Sequence, residues 1–155
     1  MIRKVIALLG VFSVLAGCSI QQTVEPARVS TDSEICIIEN PDVREGFLKE
    51  FKSTLETMGV NYRVLPKGSS HSACEWTATY LARWSWDLAL YMSYAEINVF
   101  RNGAPEGKAL YDSTGGSATM GKFIDAETKI RELVNQLLQY ETAFLQQKAS
   151  SGTIS

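Results

Sequence analysis

Between Cys74 and Trp86 the chain alternates without a break. Cys74, Trp76, Ala78, Tyr80, Ala82, Trp84 and Trp86 fall on one side, and Glu75, Thr77, Thr79, Leu81, Arg83 and Ser85 on the other. A period of two is the repeat of a β-strand, and no helix sorts these residues onto one face. At about 13 residues the run exceeds the usual strand length, so a bend or bulge is expected near Ala82–Trp84. Asp87 to Leu90 reads as a turn, with Asp87 hydrogen-bonding its backbone, and Tyr91 to Phe100 as the returning strand. A hairpin alone is marginal in water. It needs further strands, or helices laid over its apolar face.

Both kinds of cover are written on either side. Ile35-Cys36-Ile37-Ile38 is a continuous β-rich run, which suits a strand covered on both sides. Asn40-Pro41 reads as a helix start, with Asn40 as cap and Pro41 in the first helical position. Val43, Phe47, Phe51, Leu55 and Met58 form one apolar stripe, Gly59 suits a left-handed stop, and Val60 to Leu65 resumes as a strand. Beyond the hairpin, Asn102-Gly103 opens a turn extended by Ala104 to Gly107, and Lys108 to Asp112 makes a shorter strand. A second stripe, Ile130, Leu133, Val134, Leu137 and Leu138, predicts a helix from about Asp125 that Phe144 and Leu145 extend past Tyr140. The order β-α-β-β-β-α gives an α/β (α+β) fold, a two-layer sandwich with a mixed sheet of about five strands and two helices on one face. Most rings of the hairpin then fill the space between the layers. Tyr94 shares its face with Glu96 and Asn98, so it is the ring expected at the surface and the candidate contact residue.

The N-terminus is organised differently. Arg3 and Lys4 precede an apolar stretch from Val5 to Leu15, and small residues Ala16 and Gly17 lead to Cys18. At roughly 11 residues and 1.5 Å per residue the stretch covers about 16 Å, too short for a hydrocarbon core of about 30 Å. These are the zones of an export signal. Leu15-Ala16-Gly17-Cys18 resembles the lipobox of bacterial lipoproteins at all four positions. The resemblance implies that the Cys18 thiol receives a diacylglyceryl group, that residues 1–17 are cleaved away, and that the new amine is acylated with a fatty chain such as palmitate. Two or three chains make a durable membrane anchor where one is marginal. Ser19, where Asp usually marks retention at the inner membrane, implies transfer to the periplasmic face of the outer membrane. Residues 18–33 then read as the acylated cysteine and a flexible tether, 34–147 as a single α/β domain and 148–155 as a frayed tail.

Two further cysteines, Cys36 and Cys74, remain in an oxidising compartment. They pair as a disulfide, worth about 3–4 kcal/mol in the chain-entropy model, or serve as small core hydrophobes. Of the 15 basic and 17 acidic side chains, Arg3 and Lys4 belong to the signal, so the mature chain is more acidic than the formal charge of −2. The basic residues are scattered singly, which argues against a nucleic-acid partner. The lone His71 sits among small loop residues and reads as solvated. No nucleophile, phosphate-loop or metal-ligand motif is present, so no catalytic residue, cofactor or metal is expected.

Cys74, Tyr80, Trp84-Ser85-Trp86-Asp87 and Tyr91 resemble an uncharacterised proteobacterial lipoprotein family. A broader likeness is to lipoproteins that assist outer-membrane assembly or transport. The expectation is a non-enzymatic, membrane-anchored accessory or structural partner of an envelope protein complex. The alternative is a lipid- or glycan-binding periplasmic module that uses the aromatic residues of the central hairpin.

Overall fold

The computed structural model describes residues 20–30, 32–115 and 120–140. Cys18, the signal 1–17 and the tail 148–155 lie outside the described residues. The fold is α+β. A mixed six-stranded sheet carries two helices, and a two-stranded ribbon closes one side. In chain order the elements are β1 (Gln21–Glu25), β2 (Ala27–Val29), β3 (Glu34–Ile38), α1 (Glu45–Thr57), β4 (Asn61–Leu65), β5 (Trp76–Asp87), β6 (Ala89–Arg101), β7 (Ala104–Asp112), α2 (Ala126–Leu137) and β8 (Leu138–Tyr140). A 3-10 turn, Met120–Phe123, precedes α2. The sheet runs β1-β7-β6-β5-β3-β4, and β2 pairs in parallel with β8.

The β3-α1-β4 unit is parallel, as its pattern requires, and β3 also pairs in parallel with β5. Phe47, Phe51 and Leu55 on α1 and Ile130, Leu133, Val134 and Leu137 on α2 are buried against Ile35, Ile37, Trp76, Ala78, Tyr80, Ala95, Ile97, Ala109 and Tyr111 of the sheet. Phe47 lies flat on Tyr80 with ring centroids 5.0 Å apart, and Phe51 meets it edge-on at 6.4 Å. Both helices therefore occupy one face. Arg131 of α2 reaches Glu50 of α1 at 2.9 Å and ties the two helices at their rims.

Several boundaries differ from the sequence reading, each for a local reason. Within the tether expected over 18–33, Gln21–Glu25 and Ala27–Val29 are strands: β1 lies on the edge of the sheet against β7, and Ala27 and Val29 of β2 are fully buried. This edge strand turns only Val24 toward the core as an apolar residue, so it shows no apolar alternation and Gln21–Glu25 reads as a linker. Gln22 is gripped from α2, donating to Glu132 at 2.8 Å and accepting from Lys129 at 2.8 Å. The first helix begins at Glu45 with Arg44 in the cap position, not at Asn40. Asn40 is spent elsewhere: its Oδ1 accepts from the Asp42 N–H, while its amide donates to the Tyr80 carbonyl and its own N–H to the Tyr80 hydroxyl. It thereby stitches the β3–α1 corner to the sheet. The end of α1 is as expected. Gly59 has φ +73, its N–H bonds the Glu56 carbonyl and that of Val60 the Leu55 carbonyl, the paired pattern of a Schellman stop.

Ala104–Gly107, expected as loop, is the first half of β7. Asn102 and Gly103 alone make the turn, both with positive φ, and a register shift between Val99 and Phe100 absorbs the extra residue. The second helix stops at Leu137 because Leu138 turns extended and buries itself in the β2–β8 ribbon, so the helix does not run past Tyr140. Phe144 and Leu145 lie outside the described residues. The irregularity expected near Ala82–Trp84 is present as a register shift between Arg83 and Trp84.

Candidate functional site

The sheet has one face without helices, and its two ends differ. At the root of the β5–β6 hairpin the segment 66–75 folds across this face. Cys74 is disulfide-bonded to Cys36, with Cα atoms 6.2 Å apart. Cys36 is fully buried, on the face opposite Ile35 and Ile37, so this cysteine is not among the side chains under the helices. The Arg63 guanidinium lies 3.4 Å from the Cys74 sulfur and pairs with Glu34 at 3.1 Å. His71 is exposed and stacks on Phe100 at 4.1 Å. These contacts close the root.

The middle of the same face is open and polar. Alternation puts Leu81 and Arg83 of β5, Tyr94, Glu96 and Asn98 of β6, and Lys108, Leu110 and Asp112 of β7 side by side, because Tyr94 pairs with Arg83 and Asp112 while Glu96 pairs with Leu81 and Leu110. The Tyr94 hydroxyl donates to Glu96 at 2.6 Å, the Asn98 amide donates to the other oxygen of that carboxylate at 2.8 Å, and Lys108 stands 3.2 Å away. The Arg83 guanidinium lies over the Tyr94 ring at 4.6 Å. The hydrogen bond to Glu96, reinforced by partial burial and by the carboxylate's charge, pushes the Tyr94 hydroxyl up to about 12. Partial burial alone would raise Glu96; hydrogen bonds from Asn98, Tyr94 and Lys108 outweigh it and hold the carboxyl below its usual range. Asp112 is likewise lowered, by the Thr114 hydroxyl and N–H. Tyr94, the expected contact residue, thus sits on the uncovered face, half-buried and fixed at both ring and hydroxyl.

The distal end of the hairpin departs most from expectation. Trp86 is 74% exposed, Leu88 90% and Leu90 46%, and Met120 of the neighbouring 3-10 turn is 80% exposed. Trp76 and Tyr80 lie in the core as the alternation implies, and Trp84 is half-buried under Arg44. Asp87 forms an ion pair with Lys122, whose side chain is almost wholly buried and also faces the rings of Tyr91 and Phe123. Asp87 is therefore engaged by the 3-10 turn as well as placed at the tip. Asp87–Leu90 reads in the sequence as a turn, but β5 runs through Asp87 and β6 starts at Ala89, so Leu88 alone lies between the strands. The signal was there in Trp-Asp-Leu-Ala-Leu, an apolar string where turns are normally polar.

Grooves flank the sheet among the described residues. One of about 480 Å³ runs between the β3–α1 corner and the start of α1, lined by Glu39, Asn40, Val43, Lys49 and Tyr80. Another of about 540 Å³ lies at the root beside Asp32, Arg63 and Cys74. Among the described residues no group of three or more His, Cys, Asp or Glu could hold a metal ion, and no helix is long and apolar enough to cross a membrane.

No known protein family matches the chain, and no curated protein does. The fold is shared with the PelC dodecamer from Paraburkholderia phytofirmans, at a TM-score of 0.53 and 13% identity, covering 77% of this chain and 98% of that one. A point variant of that PelC matches at a TM-score of 0.48 and 15% identity, over 75% and 90% of the two chains. A minor lipoprotein from Acinetobacter baumannii matches at 0.34 and 14% identity, over 66% and 85%.

Proposed function

We propose that this chain is a lipoprotein of the bacterial envelope, anchored through acylated Cys18, and that it acts as a non-enzymatic accessory or structural partner of an envelope protein complex. The observation that carries the reading is the run Leu15-Ala16-Gly17-Cys18 at the end of a short export signal. The Cys36–Cys74 disulfide supports it, since such bonds persist in oxidising compartments. Ser19 favours the periplasmic face of the outer membrane. The contact surface is the uncovered sheet face around Tyr94, where Glu96, Asn98, Lys108 and Arg83 satisfy one another and leave Leu81 and Leu110 between them. A pre-ordered face of mixed polarity suits a protein partner, because little side-chain freedom is lost on docking.

Photo-crosslinking groups placed at Leu81, Leu110 and Tyr94 in living cells test this. Capture of a defined membrane-protein complex, or of a second copy of this chain, supports a protein interface. The second outcome has a precedent in fold only, in the dodecameric PelC. Adducts to lipid or glycan alone overturn it in favour of a lipid- or glycan-binding module. Failure to incorporate labelled palmitate, with Cys18→Ser as firmly membrane-bound as the parent, overturns the anchor itself.

A further inference from the structure

The exposed apolar tip and the start of the folded chain point the same way. Gln21 of β1 pairs with Asp112, Asp112 with Tyr94, and Tyr94 with Arg83, so these four residues lie at one level across the sheet. Traced backwards from Gln21, β1 heads toward the end at which β5 and β6 continue to their tip at Leu88. The tip stands about six residues past that level, or about 20 Å at the usual rise of a strand. Only Ser19 and Ile20 separate Cys18 from Gln21, three residue steps with a reach of at most about 10 Å. Sideways, β1 is two strands from β6, about 10 Å.

We infer that the tip formed by Trp86, Leu88 and Leu90, with Met120 beside it, is a second membrane contact that inserts into the bilayer interface next to the lipid anchor. The inference rests on the anchored reading of Cys18. From Trp84 to Met92 the only charged residue is Asp87, and Lys122 neutralises it, so the tip carries no unpaired charge into the headgroup region. Trp at an apolar tip suits the interface, where its ring meets acyl chains and its N–H meets headgroups. The backbone adds a further sign. Leu88 has φ +61 although its side chain is 90% exposed, so a residue poorly suited to that conformation stands where Gly or Asn would be unstrained. The fold gains nothing from a leucine there; a hydrocarbon phase would. Two acyl chains at position 18 leave the body free to swivel. A tip held in the same leaflet fixes its tilt and turns the Tyr94 face to one side of the membrane normal.

The test uses the full-length acylated protein, purified from membranes and reconstituted into phosphatidylethanolamine–phosphatidylglycerol vesicles with brominated acyl chains. Emission from Trp86 is taken as the difference between the parent and Trp86→Phe. The inference predicts that bromolipid quenches this emission, and that Leu88→Asp cuts the quenching at least about two-fold while the thermal midpoint stays in place. Protein that floats with the vesicles while Trp86 emission is unquenched overturns the inference and leaves the anchor standing. Trp86 shielded from aqueous acrylamide but not quenched by bromolipid, together with crosslinked oligomers, overturns it in favour of contact between copies. Protein that does not float with the vesicles overturns the anchored reading first, and this inference with it.

Discussion

The two ends of the β5–β6 hairpin are built on opposite principles. At the root, Trp76 and Ala78 are fully buried, Cys74 is bonded to Cys36, and His71 covers Phe100. At the tip, beyond the shift at Arg83/Trp84, the same two strands carry Trp86, Leu88 and Leu90 into solvent with one ion pair to the body. Apolar residues are plentiful at both ends, so composition does not separate them. What differs is whether another element reaches over them. The helices end short of the tip, and the lesson is that alternation reports which face a residue takes but not whether that face is covered at that point along the strand.

The comparison makes graded predictions. The largest effect belongs to the covered part: Phe47→Ala removes the ring stacked on Tyr80 and should cost about 3–5 kcal/mol in denaturant unfolding. Next comes the disulfide, and the Cys36→Ser/Cys74→Ser pair should lose about 2–4 kcal/mol by the same measurement. Third is Gly107→Ala. An added Cβ there would lie 2.7 Å from the Ala27 N and 2.9 Å from the Glu25 carbonyl, so the strand corner must shift, at a cost of about 1–3 kcal/mol. If instead Gly107→Ala is silent, the 25–27 corner is not pressed against β7.

Toward the open end the effects shrink or change sign. Leu88→Gly should stabilise the protein by about 1 kcal/mol, since it relieves a left-handed backbone and gives up no packing. Equal or lower stability would mean that the leucine packs within the monomer and the tip is not free. Leu88→Asp should stay within about 0.5 kcal/mol of the parent. The middle of the face is sharpened by titration. Absorbance of tyrosinate should lose a component near 12 in Tyr94→Phe, and that component should move toward 10 in Glu96→Gln. The sign follows from the raised value. The contribution of Tyr94 is complete below about pH 10, where the unfolded chain also keeps its proton, and disappears as pH rises through about 12. Glu96 acts in reverse, with a contribution present above the ordinary carboxylate range and lost as pH falls through its lowered value.

Much of this architecture was readable because its signals are local and redundant. The stripes of α1 and α2, the helix start near Asp125, the stop at Gly59 and the Asn102-Gly103 turn each rest on residues a few positions apart. What escaped depends on distant partners. Gln21–Glu25 is a strand only because β7 offers it an edge, and Asn40 abandons the helix cap only because Tyr80 stands within reach. The Tyr94–Glu96–Asn98 row was legible as a shared face. Its union with Lys108 and Arg83 required the register of three strands.

The ribbon of β2 and β8 joins nearly the first described strand to the last. Topology of that kind sets a timetable. A chain emerging N-terminus first cannot seat Ala27–Val29 until Leu138–Tyr140 has arrived, so its early half stays unfinished through synthesis. Closure of the ribbon is therefore a late event, and Leu138–Tyr140 latches a segment made more than a hundred residues earlier.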